Sequence, residues 1–405
     1  MRVGIFFGGQ SREREISFAG GRTVYDNLNK SLFEPVPVFI DSLGNFILLN
    51  WEFIYKGTIR DFYPPVAVYP ASERQFQLYI ESIASPEAVH SAIDKVGKRI
   101  QPDEFSDLFD FAFLALHGPY GEDGNLQGLL EWYNIPYSGS GILPSAIGIN
   151  KTVQKDLMSN AGFKTPEYTI LKRTDWENSP ESIVQNIQDK FSFPLVVKAP
   201  NQGSSIGISI VDSPEQLDQA IEKGFFIEKI QIPEWQLFSE YQKIKKITAL
   251  IDIREGTGLP VYYNHDEIVY HPDELIKKLD EESAGEAVLI PLDSEEELLI
   301  ESFISGKEFS CIVIQDNEGK AIALPPTEIK KSTTLFDYRA KYLPGISRKV
   351  TPIDLPDADI ERIRKDCESL FTTLHCDVYA RIDGFYTEAG EIFLNDPNTT
   401  SGMLP

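Results

Sequence analysis

The sequence predicts an open parallel α/β domain at the N-terminus followed by α+β units, in a chain of 405 residues. Three observations carry this. Val3 to Phe7 is a short apolar run that stops at Gly8-Gly9-Gln10-Ser11 and gives way to a polar, helix-compatible stretch near Ser17; strand, glycine turn and helix in that order open an α/β sheet. Near Asn150-Lys151 the pattern changes, with a helical composition over Thr152 to Asn160 that ends at Ala161-Gly162. The chain closes on Val378 to Phe385 and Ile392 to Asn395 around Glu388-Ala389-Gly390, which reads as a hairpin. At roughly 150 residues per domain the length allows two or three domains.

Taken in order, Val36 to Ile40 is a second strand, and Pro37 argues for an edge or a strand end. Residues 41 to 105 hold short strand-like pieces (Phe46 to Leu49, Val66 to Tyr69, Phe76 to Ile80) and read as an antiparallel embellishment. Asp110 to Leu116 is a buried strand that ends at His117-Gly118-Pro119-Tyr120-Gly121. The carboxyl end of such a strand is where open α/β sheets bind ligands. Pro166 opens an extended piece, Pro194 to Lys198 is a strand, and Ile208 to Val211 returns beside it. Ser213 with Glu215 to Glu222 makes a capped helix. Residues 225 to 297 read as an insertion with its own strands and a helix around Asp273 to Glu282. Glu297 to Phe303 and Glu308 to Ile314 are strands joined by Ser305-Gly306-Lys307, and Asp359 to Thr373 is an amphipathic helix.

Composition excludes several classes. Lys and Arg number 38 against 62 Asp and Glu, a net charge of −24. A nucleic-acid binder neutralises phosphates with a basic surface, which this balance argues against; a nucleotide needs only a few local cations. Cys311, Cys367 and Cys376 are widely spaced, and the five histidines have no HExxH spacing, so neither a disulfide scaffold nor a zinc site is indicated. No apolar run of about 18 residues offers a membrane span. The expectation is a cytoplasmic, acidic, multi-domain protein.

Four segments carry chemistry. Gly203-Ser204-Ser205-Ile206-Gly207 follows a strand ending in Lys198. Small residues let backbone N–H groups approach a phosphate, and the lysine supplies charge; an ordinary β-turn has the same composition. At the C-terminus, Arg381 and Asp383 share one strand face by the two-residue period, and Asp396 and Asn398 do so on the next strand. If the strands pair, three oxygen ligands converge beside an arginine, a set that suits Mg²⁺; a solvated polar hairpin face is the alternative. ALHGPYGEDGNLQG (Ala115 to Gly128) places His117, Glu122 and Asp123 among glycines, which fits a ligand loop or a structural turn equally. In GGQSREREIS, a carboxylate, Glu13 or Glu15, stands where it could bind an amine, although alternating charge more often marks a surface helix.

Together these segments resemble the D-alanine–D-alanine ligases of the ATP-grasp superfamily. The resemblance runs in order through most of the chain. GGQSREREIS resembles the opening motif, and ALHGPYGEDGNLQGLLE with IPYSGSG (Ile135 to Gly141) the most specific signature. FPLVVKAPNQGSSIGIS resembles the phosphate loop, LIESFISGKEF the adenine and ribose segment, LFDYRAKY (Leu335 to Tyr342) a closing loop, and ARIDGFY with LNDPNTTSGM the metal end.

The resemblance implies an ATP-grasp fold in three domains: 1–150 for substrate, 151–297 as the central ATP-grasp unit with the insertion at about 225–297, and 298–405 as the C-terminal unit. It implies ATP-dependent ligation of two D-amino acids through an acyl phosphate, for peptidoglycan precursor synthesis. Glu13 would hold the first ammonium, with Ser204 and Tyr342 hydrogen-bonded to it and His117 nearby. Lys151, Lys198 and the loop hydroxyls of Ser204 and Ser205 would contact ATP phosphates, and Glu301 and Glu308 the adenine and ribose ends. Lys341 would reach the γ-phosphate and the substrate carboxylate. Arg381 and a backbone N–H near Gly402 would stabilise the tetrahedral intermediate, and Asp383, Asp396 and Asn398 would hold two Mg²⁺ ions. Partners would be small molecules, with a homodimer also compatible.

The chain departs from the family pattern at several places. Asp396 replaces a customary Glu, Ser302 a Lys and Ser401 a Pro, and the insertion is long. The family continues with a serine-bearing segment that binds the second substrate, so the last domain reads as truncated. The competing expectations are a carboxylate–amine ligase with another acceptor and an inactive nucleotide-binding homologue. Tyr342 is the residue type associated with dipeptide products.

Overall fold

The computed structural model describes residues 1–70, 74–83, 85–331 and 347–402. Strand β1 (Arg2–Gly8) pairs in parallel with β2 (Glu34–Ile40) and with β5 (Phe111–Leu114). The sheet order is β4-β3-β2-β1-β5, where β3 (Phe46–Leu49) and β4 (Gly97–Ile100) are antiparallel additions beyond β2. Flanked by strands on both sides and covered on both faces, β1 is buried from Val3 to Gly8, which is why its sequence is continuously apolar. Gly8 has φ of +92°, and a Cβ there would meet the Ile40 carbonyl oxygen at 2.4 Å, so the strand can leave the sheet only through glycine.

The helix after β1 starts at Arg14, earlier than expected. Pro37 is not on a sheet edge overall, because β3 lies beyond β2; but β3 pairs only with Val38 to Ile40, so Pro35 and Pro37 precede the ladder that would need their N–H. Of the expected pieces between 41 and 105, only 46–49 is a strand. Val66–Val68 and Ile80–Ser82 are single 3₁₀ turns, and Pro86–Val96 is a helix. Tyr79, Ile80, Ala92, Ile93 and Val96 are buried in the N-terminal core without pairing in a sheet, while Val66 is exposed.

The central unit has β6 (Tyr168–Lys172), β7 (Leu195–Lys198) and β8 (Ile208–Val211). Between β8 and the last central strand lie β9 (Glu228–Gln231), β10 (Val261–Tyr263), β11 (Glu267–Val269) and β12 (Glu286–Pro291), which form their own sheet in the order β11-β10-β12-β9. Helices Glu240–Leu250 and Pro272–Glu281 close a separate core on this sheet around Trp235, Leu275 and Leu289. Phe76 and Leu78 of the N-terminal embellishment are part of that core. Strand β13 (Glu297–Ser302) then pairs with β6 and β7, completing β6-β13-β7-β8. A boundary at 297/298 therefore cuts into a strand of the central sheet; the chain leaves that sheet after Ser302.

The last unit contains β14 (Lys307–Gln315), β15 (Ala321–Ala323), β16 (Thr327–Lys331), β17 (Ser347–Val350), β18 (Tyr379–Tyr386) and β19 (Ile392–Asn398), with the order β17-β16-β14-β18-β19 and β15 beside β14. Helix Asp357–Thr373 packs Ile363, Cys367, Leu370 and Phe371 onto it. The three cysteines are buried and free. Among the described residues, no helix is long and apolar enough to cross a membrane.

Candidate functional site

The loops after β1 and β5 leave the carboxyl ends of adjacent strands and meet there. The Ser11 hydroxyl donates to the His117 carbonyl at 2.6 Å and accepts from the Glu13 N–H at 3.2 Å. Glu13 is buried at the start of its helix, and its Oε1 accepts from the Ser204 hydroxyl. Gly203 lies so close that a Cβ there would sit 2.5 Å from Glu13 Oε2, so any side chain at this position would push the carboxylate aside. Among the described residues, Glu13 Oε2, His117 Nε2 and Ser205 Oγ are buried without a hydrogen-bond partner. Buried polar atoms are nearly always satisfied, so three such atoms around one loop junction point to a polar ligand.

Burial and then the Glu122 charge push the Glu13 carboxyl up, against the pull of His117, Ser204 and Lys151. His117 Nδ1 lies 3.8 Å from Glu122 Oε2. Burial alone would lower the His117 value, but Glu122, followed by the Glu13 charge, outweighs it, and the imidazole is raised.

On the other side of the loop stand lysines. Lys198 ends β7 and Lys151 opens the helix Lys151–Asn160, whose N-cap is the Asn150 side chain accepting from the Val153 N–H at 3.0 Å. Lys151 Nζ donates to the Gln202 carbonyl at 2.8 Å and lies 3.9 Å from Asp396 Oδ1. Glu301 on β13 is wholly buried between Lys198, which binds its Oε2, and Lys155, 3.0 Å from its Oε1. Both ammonium groups also donate to Asn395 Oδ1, at 3.0 and 3.2 Å. Burial pulls Lys155 down to about 8 although Glu301 opposes it. The two lysines hold the Glu301 carboxyl below its usual range despite its burial. This network joins the central sheet to the C-terminal sheet.

The C-terminal hairpin has the register that converges its polar groups. Asp383 faces Asp396 and Arg381 faces Asn398, while Ile382 between them points into the core. Arg381 grips Asp383 through Nε at 3.1 Å and Nη2 at 2.9 Å, and Asn398 Nδ2 is 3.4 Å from Asp383 Oδ2. Among the described residues no group of three or more His, Cys, Asp or Glu is arranged to hold a metal ion. The donor set is instead two carboxylates and an amide, all hard oxygen donors, and it fits Mg²⁺ better than a softer metal. Gly402 is exposed at the end of the described chain.

The structure separates the two glutamates of the opening motif. Glu15 accepts from the Ile59 N–H at 2.9 Å and the Tyr79 hydroxyl at 3.0 Å, a structural role that removes it from the site. Glu308 stands half-buried on β14 opposite Phe385. Both Glu301 oxygens face lysines. Lys341 and Tyr342 lie outside the described residues. Lys155 and Asn395 were missed by sequence reasoning; Lys155 is four residues after Lys151, so the helix period alone places both on one face. Glu295 was also missed: it is buried and accepts from Gln202 at 2.9 Å and Asn201 at 2.8 Å, fixing the phosphate loop from below.

Two antiparallel sheets facing each other across buried lysines, with a glycine–serine loop over them, define an ATP-grasp enzyme. The family follows from comparison. The D-ala D-ala ligase N-terminus model matches residues 2–140, and the D-ala D-ala ligase C-terminus model matches 157–241 and 277–405. The chain belongs to the D-alanine–D-alanine ligase family. It is 27% identical to the D-alanine--D-alanine ligase of Acetivibrio thermocellus, over 99% of this chain and 88% of the relative. With that of Geobacillus thermodenitrificans it shares 26%, over 100% and 88%. The solved D-alanine--D-alanine ligase from Bacillus anthracis is 26% identical with a TM-score of 0.58, covering 100% of this chain and 88% of its own. The enzyme from Coxiella burnetii, at 20% identity, a TM-score of 0.62, and coverage of 100% and 86%, shares the fold.

Proposed function

We propose that this protein joins two D-alanine molecules at the expense of ATP, for peptidoglycan precursor synthesis. The observation that carries this reading is the buried Glu13 carboxylate held by Ser204 of the phosphate loop, which sets an ammonium-binding group directly beside a phosphate-binding one. An amino acid seated on Glu13 has its carboxylate presented to the nucleotide. A carboxylate is a poor electrophile; phosphorylation gives it a leaving group, and holding the partners in line removes much of the barrier.

In this reading Lys151 and Lys198 grip ATP phosphates, with Ser204 and Ser205 lining the loop. Glu301 and Lys155 hold Lys198 in place, a change from the adenine role that the family resemblance suggested for Glu301. Glu308 addresses the ribose. Asp383, Asp396 and Asn398 would hold Mg²⁺, two ions in the family pattern, which neutralises phosphoryl charge when bound. Arg381 stabilises the oxyanion formed when the second amine attacks, with the Gly402 N–H as its partner. His117, beside Glu13, faces the first substrate. In the family pattern Lys341 would contact the γ-phosphate and Tyr342 would hydrogen-bond to Glu13. The reading implies a cytoplasmic enzyme and is compatible with a homodimer. Phosphate release from ATP, measured with D-alanine and with a panel of other D- and L-amino acids, tests it: release with D-alanine supports the assignment, and release only with another amino acid replaces the acceptor.

A further inference from the structure

Arg12 precedes Glu13 in the opening loop, yet it does not reach the site. It is wholly buried and turned the other way. Its Nη1 donates to the carbonyls of Ile253 and Gly256, each at 3.0 Å; its Nη2 donates to the Thr257 carbonyl at 2.9 Å and to Asp293 Oδ1 at 2.8 Å. The guanidinium also stacks on Phe226, 3.8 Å from the ring centre. Both terminal nitrogens of the fork are engaged, by three carbonyls and a carboxylate, and an aromatic face covers the group, while Nε is buried without a hydrogen-bond partner.

The carbonyls come from a turn that has its own internal hydrogen bonds. It follows helix Glu240–Leu250 and is closed by the Gly256 N–H on the Asp252 carbonyl at 2.8 Å and the Gly258 N–H on the Leu250 carbonyl at 3.0 Å. Ile253 of the same turn is buried in the core of the N-terminal domain. The turn lies within residues 242–276, the stretch of this chain that the family's C-terminal model leaves unmatched. The loop after β12 contributes from both directions: Asp293 binds Arg12, and Glu295 binds Asn201 and Gln202 next to Gly203. Glu13 therefore sits between two clamps, one on the residue before it and one on the loop that contacts its carboxylate.

We propose that Arg12 is a positioning residue and that the 252–258 turn is its brace, an addition of this chain that sets affinity for the first D-amino acid by fixing the Glu13 backbone. The proposal rests on the assignment of Glu13 to the substrate ammonium. The brace acts on geometry, and misplacement of a binding group by about 1 Å can cost up to about 100-fold.

The test is steady-state phosphate release by the full chain with Arg12→Met, Arg12→Lys, Asp293→Asn and Glu13→Gln. Arg12→Met raises the KM for the first D-alanine about tenfold and leaves the KM for ATP nearly unchanged, and Arg12→Lys falls between it and the parent. A role confined to stability would lower Tm and the active fraction without moving either KM. Should Arg12→Met fail to fold, Asp293→Asn, half-exposed in the parent, removes the negative charge facing Arg12 and raises the same KM about twofold to threefold. If Glu13→Gln shifts the first-site KM while neither Asp293→Asn nor any folded Arg12 variant does, the brace is overturned and the Glu13 assignment stands. If Glu13→Gln does not shift it, the assignment falls and the brace with it.

Discussion

The Ser204 hydroxyl donates to the Glu13 carboxylate across 191 residues of sequence and between two domains. Hydrogen bonds to a buried charge contribute about 1.5–3 kcal/mol. Ser204→Ala is accordingly expected to raise the KM for the first D-alanine about tenfold, and Glu13→Gln by about 10- to 100-fold, each with the KM for ATP little changed. Equal shifts in both constants would contradict the assignment.

The raised Glu13 carboxyl predicts an acid limb. The substrate ammonium needs the ionised form, so kcat/KM for D-alanine falls on acidification at a pH above the ordinary carboxylate range. Stability has the opposite sign. Between the ordinary and the raised value the folded state binds more protons than the unfolded one, so stability declines as pH rises through that window. Glu13→Gln removes both effects; a pH profile of that variant superimposable on the parent would count against Glu13 as the titrating group.

Glu301 holds two buried ammonium groups. Glu301→Gln leaves both without a counter-charge, and breaking a buried pair from one side costs about 3–5 kcal/mol. The expected outcome is a lower Tm together with a raised KM for ATP. A variant with parental Tm and parental nucleotide affinity would show that the network is not what holds Lys198.

Arg381 and Asp383 form a bidentate pair on the face of the terminal hairpin. Arg381→Ala is predicted to reduce ligation about 100- to 1000-fold while ATP binding persists. Asp383→Asn should shift the Mg²⁺ titration of activity to higher concentration. An unchanged titration would place the metal elsewhere.

Much of the architecture was legible because local rules decide it. The β1 run, its glycine exit and the hairpin register follow from burial on two faces and from the two-residue period, and so Arg381, Asp383, Asp396 and Asn398 could be placed on one surface from sequence. Val66 to Tyr69 and Phe76 to Ile80 were misread as strands: Phe76 and Leu78 pack into the core of the inserted sheet, and Val68, Tyr79 and Ile80 onto that of the N-terminal domain, instead of pairing. Glu13 and Glu15 could not be separated by spacing; only the contacts of Glu15 with Ile59 and Tyr79 do that. Arg12 was equally invisible, since its hydrogen-bond partners lie more than 240 residues away.

The most direct measurement of the central claim is inorganic phosphate release from ATP by the purified chain, with and without D-alanine, with D-alanyl-D-alanine followed in the same samples. The account predicts release that depends on D-alanine, matches dipeptide formed, and is lost in Glu13→Gln at D-alanine concentrations that saturate the parent. ATP binding with no D-alanine-dependent release, or release equal with every amino acid offered, would contradict it.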